Sequence, residues 1–133
     1  MLAAFQDPMM SNTCTWFMRI LTASSLKQHA DGFLPFIEDI VLYNNDIGDY
    51  CAKEVEPMGK ECEQVQIMAL LEALHGVEIS IEYLDGRPFD GHPPHMDLRS
   101  NIPPNDVSGS PTRMVVSLLY RPGHYDVLYQ DNL

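Results

Sequence analysis

The most informative stretch of this chain is residues 114–129, which read MVVSLLYRPGHYDVLY. A mostly apolar run, Met114–Tyr120, is followed by Arg-Pro-Gly and then by a second run of strand-forming residues, His124–Tyr129. Because Pro-Gly favours a tight turn and both flanking runs suit extended chain, the pattern predicts a β-hairpin. Side chains on a strand alternate between two faces, so His124 and Asp126 lie on the same face of the second strand.

His124 and Asp126 form a pattern that general-base catalysis uses. A carboxylate beside a histidine can hold the imidazole in one tautomer. A histidine that deprotonates a nucleophile needs its tautomer fixed in this way. His-x-Asp is also a short pattern, and the alternative interpretation is a half-exposed strand whose polar face carries both residues. The rigid turn at Pro122–Gly123 favours catalysis, because it places the histidine at the start of a strand. His124 and Asp126 are therefore candidate catalytic residues, and the pattern leaves both interpretations open.

Upstream of the hairpin, hydrophobic periodicity predicts helices followed by a strand. Apolar residues at helical spacing indicate helices over Ser11–Lys27 and Glu61–Leu74. A third helix is predicted over about residues 46–55, with Asp46 as its N-cap. Polar residues alternate with β-branched and aromatic ones over Val77–Tyr83, which predicts a strand with one polar face.

The segment 85–112 contains six of the chain's ten prolines, together with glycines, asparagines and serines. Such a composition predicts a long surface loop. The loop carries His92, His95 and Asp97, whose side chains are of the zinc-ligating types. No further cluster of ligands accompanies them, so we predict no metal site. The sequence also lacks a glycine-rich phosphate loop, and we predict no cofactor.

Composition and charge limit the classes of function. With 133 residues, of which 45% are apolar and 20% charged, the chain is of the right length for a single folded domain over 1–133. Its net charge of −11 disfavours nucleic acid and anionic membrane surfaces as partners, and it favours a partner with a basic face. No stretch reaches the roughly 18 apolar residues of a membrane span, and the first residues lack a signal-peptide pattern. Three cysteines without a disulfide-framework spacing indicate a reducing compartment, so we expect a cytoplasmic or nuclear location.

None of the three cysteines has the sequence surroundings of an activated nucleophile. Cys14 falls inside the first predicted helix, which is an apolar one. Cys51 and Cys62 have acidic neighbours, which raise the pKa of a thiol rather than lower it. The sequence also lacks the Gly-x-Ser-x-Gly motif of a serine nucleophile. The residue that His124 would activate is therefore not evident.

The hairpin region resembles the otubains, a family of ovarian-tumour-type cysteine proteases that remove ubiquitin. Residues 118–129, LLYRPGHYDVLY, match the family's C-terminal signature nearly letter for letter. The segment 54–58, EVEPM, together with the helix and strand that follow it, is similar to a second otubain block at the expected distance. Residues 16–22 are compatible with a third block. The blocks are collinear, so the resemblance covers most of the chain apart from 85–112.

This resemblance implies an α+β chain with a partial papain-like otubain fold, in which helices pack on a small, mostly antiparallel sheet that ends in a C-terminal hairpin. It implies that His124 is the general base of a ubiquitin isopeptidase and that Asp126 orients it. In otubains the base activates a cysteine, which attacks the bond between ubiquitin's C-terminal glycine and a lysine to form a thioester. Ubiquitin or polyubiquitin is the implied partner, with a ubiquitin-conjugating enzyme as a further candidate.

Two departures from the family's pattern leave other functions open. Otubains carry the nucleophile in an Asp-Gly-Asn-Cys segment that does not occur in these 133 residues, so the chain resembles an N-terminally truncated domain. Gln64 and Gln66 stand where many otubains have histidines. The alternatives are a non-catalytic module that binds ubiquitin or a conjugating enzyme, and an inactive fragment. For a truncated domain we expect exposed apolar faces.

Overall fold

The computed structural model describes residues 2–100 and 114–129. The α-helices in these residues are α1 (Leu2–Phe5), α2 (Pro8–Gln28), α3 (Ala30–Phe33), α4 (Ile47–Tyr50) and α5 (Gln64–Leu74). Two 3-10 turns cover Leu34–Phe36 and Ile40–Tyr43, and a π-helical turn covers Cys51–Val55. The strands are β1 (Val77–Tyr83), β2 (His95–Arg99), β3 (Met114–Arg121) and β4 (His124–Leu128). Residue contacts divide the chain into two compact units, 1–73 and 74–133, and a single domain over 1–133 stays a prediction.

Helix α2 confirms the first predicted helix but begins at Pro8 rather than Ser11. The Asp7 carboxylate caps it by accepting a hydrogen bond from the Met9 backbone N–H across 2.8 Å. Proline at the first helical position has no N–H to leave unsatisfied there. The aspartate cap followed by proline is therefore the start signal of this helix.

The helix predicted after Asp46 is also confirmed. The Asp46 carboxylate accepts a hydrogen bond from the Gly48 N–H across 2.7 Å. Helix α4 then continues into the π-helical turn, which ends at Val55. Glu56 still has helical backbone angles, but Pro57 directly after it has no backbone N–H for a further helical hydrogen bond, so the helix ends there.

The helical unit has an apolar core, formed by the buried residues Ala23, Leu26, Ile37, Tyr50, Cys51, Val55 and Ala69. Within this unit the Gln66 side-chain amide donates a hydrogen bond to the Tyr50 hydroxyl across 3.0 Å. Because a buried polar group without a partner is costly, this bond explains how both side chains are accommodated in the interior. Helix α5, which carries Gln66, begins at Gln64 rather than at the predicted Glu61 and ends at Leu74 as predicted.

The second unit holds a four-stranded sheet in the order β2-β1-β3-β4. Strand β1 runs antiparallel to β2 and parallel to β3, and β3 runs antiparallel to β4. The predicted strand over Val77–Tyr83 and the predicted C-terminal hairpin are both present. The α+β class and the mostly antiparallel sheet are therefore confirmed.

One part of the prediction for residues 85–112 is wrong, because His95–Arg99 forms strand β2. This strand pairs along its whole length with β1. It is an edge strand of the described sheet and follows directly after Pro93 and Pro94, a position where prolines are tolerated because they interrupt no ladder. The remainder of the predicted loop from residue 101 onward lies outside the described residues.

Each unit exposes large apolar side chains. On helix α2, Met9, Trp16 and Phe17 are 79%, 52% and 56% exposed. On strand β3, Met114 and Val115 are 66% and 57% exposed. Among the described residues, no helix is both long enough and apolar enough to cross a membrane.

Candidate functional site

The β3–β4 hairpin positions the predicted site. Strand β3 ends at Arg121 and β4 begins at His124, so the turn consists of Pro122 and Gly123. Gly123 has a backbone φ of +78°, and proline followed by a residue with positive φ is what a type II turn requires. Glycine adopts this angle without the steric strain of a side chain. The turn thereby sets Arg121 directly opposite His124.

The register of the hairpin gathers three polar side chains on one face of the sheet. Arg121 is paired with His124, and Asp126 follows His124 by two residues, so all three project to the same side. On the other side, the rings of the paired residues Tyr120 and Tyr125 lie 5.0 Å apart. Aromatic pairs across antiparallel strands stabilise the pairing, so this contact helps to fix the register on which the polar face depends.

His124 and Asp126 are in direct contact, as the sequence predicted. Nε2 of the imidazole lies 3.0 Å from Oδ1 of the carboxylate. In the neutral imidazole, the nitrogen that faces a carboxylate carries the proton and donates a hydrogen bond to the carboxylate oxygen. The lone pair then resides on Nδ1, which is the nitrogen able to accept a proton from a nucleophile. The structure thus brings the two residues together, and their catalytic role stays a prediction.

The Asp126 carboxylate has a second partner, which the sequence did not reveal. Nη2 of Arg121 donates a hydrogen bond to Oδ2 across 2.5 Å. The Arg121 guanidinium, and after it His124, hold the pKa of Asp126 below its ordinary value. Asp126 is therefore ionised at neutral pH. A two-residue turn makes Arg121 the cross-strand neighbour of His124. The length of the turn, which can be read from the sequence, was therefore the signal that could have revealed this partner.

The site is open to solvent. The side chains of His124 and Asp126 are 61% and 42% exposed. A substrate or another protein segment can therefore approach the imidazole. Water competes for the same hydrogen-bonding groups, so the geometry depends on the contacts that support it.

All three cysteines belong to the helical unit, and the structure raises the thiol pKa of two of them. Cys51 is completely buried, and burial raises the pKa of its thiol to about 11. Cys62 lies at the surface, but the chain around its sulfur restricts hydration and raises its pKa as well. The predicted direction is confirmed for both thiols, although desolvation rather than acidic neighbours is the largest cause. Cys14 is half-buried in helix α2.

The histidines and the aspartate of the Pro-rich segment do not form a metal-binding cluster. His95 and Asp97 lie on strand β2 and are exposed, whereas His92 precedes that strand. Within the described ranges 2–100 and 114–129, no group of three potential metal ligands comes together.

Comparisons with known proteins agree with this architecture. The family model described as Peptidase C65 Otubain matches residues 1–130. Over 127 residues the chain is 36% identical to the ovarian tumor domain-containing deubiquitinating enzyme 1 of Arabidopsis thaliana, a match that covers 93% of this chain and 40% of that protein. Over 130 residues it is 35% identical to the ubiquitin thioesterase OTUB1 of Homo sapiens, a match that covers 98% of this chain and 42% of that protein.

A solved structure gives the same result in three dimensions. The complex h/ceOTUB1-ubiquitin aldehyde-UBCH5B~Ub contains a chain that matches with a TM-score of 0.75 at 32% identity, covering 96% of this chain and 45% of that one. The α+β fold is that of the ovarian-tumour class of domains. The chain belongs to the otubain family, because the family model matches nearly its whole length. It spans less than half the length of these three relatives, between 40% and 45%.

Proposed function

We propose that this chain supplies the base and its orienting carboxylate to an otubain-type ubiquitin isopeptidase, which hydrolyses ubiquitin conjugates with a cysteine nucleophile. The observation that carries the proposal is the 3.0 Å contact between Nε2 of His124 and Oδ1 of Asp126. The names of the relatives support it, since one is a deubiquitinating enzyme and another a ubiquitin thioesterase.

In the proposed reaction, Nδ1 of His124 accepts the proton of a cysteine thiol, and Asp126 stabilises the imidazolium through its bond from Nε2–H. The thiolate attacks the carbonyl carbon of the isopeptide bond between ubiquitin's C-terminal glycine and a lysine. When the tetrahedral intermediate collapses, the C–N bond breaks and the imidazolium returns its proton to the leaving amine. A water molecule, deprotonated by Nδ1, then hydrolyses the thioester and releases ubiquitin.

The proposal assigns only the base and the orienting role to this chain. Cys51 is unsuited to the third role, because it is buried and burial raises its thiol pKa to about 11. The 133 residues contain no Asp-Gly-Asn-Cys segment, which carries the nucleophile in other otubains. A direct test must therefore supply that segment.

A chimera tests the proposal. The aligned C-terminal part of human OTUB1 is replaced by this chain, while the preceding part of OTUB1 supplies the cysteine segment of the family. We expect the chimera to cleave a fluorogenic ubiquitin amide. Replacing the base with His124→Ala should lower kcat/KM by at least about 100-fold, the low end of a general-base contribution. Asp126→Ala should also lower it, and Asp126→Asn should retain more activity because the amide oxygen still accepts a hydrogen bond.

The matched control is His92→Ala, which removes an exposed histidine outside the strands. Thermal unfolding and ubiquitin binding are measured for every variant, so that loss of fold is recognised. Equal activity of the His124→Ala and His92→Ala chimeras would overturn the proposal. A folded chimera that binds ubiquitin but does not cleave the conjugate would overturn it as well.

A second candidate function is non-catalytic binding of ubiquitin or of a ubiquitin-loaded conjugating enzyme. Two observations favour it: the net charge of −11, and the presence of ubiquitin aldehyde and UBCH5B~Ub in the solved complex of a relative. An acidic surface attracts a partner with a basic face, and the attraction weakens as salt screens it.

Titration of the isotope-labelled chain with ubiquitin, and separately with UBCH5B~Ub, tests this second candidate by NMR. Binding requires resonance shifts that persist in His124→Ala and weaken as the salt concentration rises. The absence of shifts with either partner at millimolar concentration would eliminate the binding function.

A further inference from the structure

Arg121 occupies a position from which it can act on His124 through Asp126. Its Nη2 lies 2.5 Å from Oδ2 of Asp126, while Nε2 of His124 lies 3.0 Å from Oδ1. We propose that Arg121 is a positioning residue that holds the Asp126 carboxylate against His124 and so keeps Nδ1 of His124 available as the base. The consequence for hydrolysis rests on the proposed function, whereas the effect on the His124–Asp126 contact does not.

The hairpin gives Arg121 the required reach. In the register, Arg121 is opposite His124 and therefore diagonal to Asp126. Diagonal neighbours across an antiparallel pair are roughly 7–8 Å apart, a separation that a long side chain can span and a short one cannot. A turn longer or shorter by one residue would change the pairing and direct the side chain to the other face. The Pro122–Gly123 turn is therefore part of the same arrangement.

The carboxylate needs a second partner because it is exposed. The terminal torsion of an aspartate is broad and roughly twofold, so one hydrogen bond leaves the group free to rotate and to exchange partners with water. The Asp126 side chain is 42% exposed and meets that competition. With Oδ2 bound to Arg121, a rotation that frees Oδ1 from His124 must break two contacts rather than one.

A guanidinium suits this role better than a titratable group would. Arginine stays protonated across the range in which proteins are folded, so its bond to Oδ2 is not lost through deprotonation of the donor. Arg121 is also the largest cause of the lowered pKa of Asp126, ahead of His124 itself. The carboxylate therefore remains an acceptor for Nε2–H at every pH at which His124 could act as a base.

A purely structural ion pair is the alternative, and the chain contains a matched example. Arg87, which is exposed, and Asp85, which is half-buried, form a pair at 2.6 Å in the same unit, and the Arg87 side chain likewise lowers the pKa of its aspartate. Exposed ion pairs contribute little to stability, so thermal unfolding cannot separate the two interpretations. The informative readout is at the His124 ring.

The experiment is NMR of the full chain with its histidine rings labelled with ¹⁵N, in Arg121→Gln, Arg121→Lys and the control Arg87→Gln. In Arg121→Gln we expect the pKa of Asp126 to rise toward its ordinary value. We also expect the Nε2 proton of His124 to exchange with water about tenfold faster, since the bond that protects it is weakened. Arg121→Lys should recover part of both effects, and Arg87→Gln should change neither. An unchanged proton-exchange rate in Arg121→Gln overturns the positioning role, whatever the chimera does.

The chimera described above measures the catalytic consequence. Arg121→Gln should lower kcat roughly tenfold and leave KM nearly unchanged, a size in keeping with the loss of one hydrogen bond to a charged group, and Arg121→Lys should restore part of it. Unchanged kcat alongside an altered His124 ring would overturn the link to hydrolysis. An inactive chimera with the natural Arg121 would instead count against the proposed function, and NMR alone would then decide the positioning role.

Discussion

Oδ1 of Asp126 contacts the Nε2 nitrogen of His124 and leaves the Nδ1 nitrogen on the opposite side of the ring. The proton-accepting nitrogen is therefore the one nearer to the backbone of strand β4. This orientation requires that a thiol approach the imidazole from the side away from the carboxylate. The contact depends on the two residues being on one face of the strand, which a spacing of two residues guarantees.

The contact predicts a dependence of stability on acid pH. Arg121 and His124 lower the folded-state pKa of Asp126. A carboxyl group with a lowered pKa contributes stability that is fully present above its unfolded pKa of about 3.9 and is lost as the pH falls through the folded pKa. We expect Asp126→Asn to lower the urea midpoint near neutral pH and to have less effect as the pH falls below about 4. An equal change in the urea midpoint near neutral pH and below about pH 4 would show that the ionised carboxylate contributes nothing to stability.

The core of the helical unit predicts that replacing one leucine lowers the free energy of unfolding strongly and that replacing another hardly changes it. Leu26 is completely buried, whereas Leu42 is 70% exposed. Leu26→Ala should lower the free energy of unfolding by about 2–5 kcal/mol, because it removes buried methyl groups and leaves a cavity. Leu42→Ala should change it by no more than about 0.5 kcal/mol. Denaturant unfolding of both variants measures the difference, and similar losses would contradict the position assigned to Leu26.

Cys51 should resist alkylation in the folded chain. Its thiol is buried and its pKa is raised to about 11, so little thiolate exists near pH 8. We expect iodoacetamide to react with it on the order of 100-fold more slowly than in the urea-unfolded chain, where the thiol pKa returns to about 8.5. Mass spectrometry of a time course, with the unfolded chain as control, measures the ratio. Rapid modification of Cys51 in the folded chain would show that this core is more open than described.

Elements with strong local signals could be predicted from the sequence. Helices α2 and α5 and strand β1 follow from their apolar periodicity, and the Pro122–Gly123 turn follows from its residue types. The contact of His124 with Asp126 could also be predicted, since it needs only the two-residue repeat of a strand. Their roles in catalysis came from the family resemblance and not from the pattern.

Features that depend on distant partners could not be predicted. The parallel pairing of β1 with β3 joins segments separated by the Pro-rich region, and nothing local encodes it. Strand β2 was missed because the prolines before it suggested a loop, whereas pairing with β1 decides its conformation. The role of Arg121 required combining the turn length with the register across the hairpin.

The central claim is that His124 deprotonates a cysteine supplied by the rest of an otubain domain. The rate at which iodoacetamide alkylates the nucleophilic cysteine of the chimera, measured with His124 and with His124→Ala, tests it most directly. A thiol that has given its proton to a base reacts as a thiolate well below the ordinary pKa of about 8.5. At pH 6 we expect alkylation to be at least about tenfold faster with His124 than with alanine, and the alanine variant to react as an ordinary cysteine. Equal rates in the two chimeras would contradict the claim.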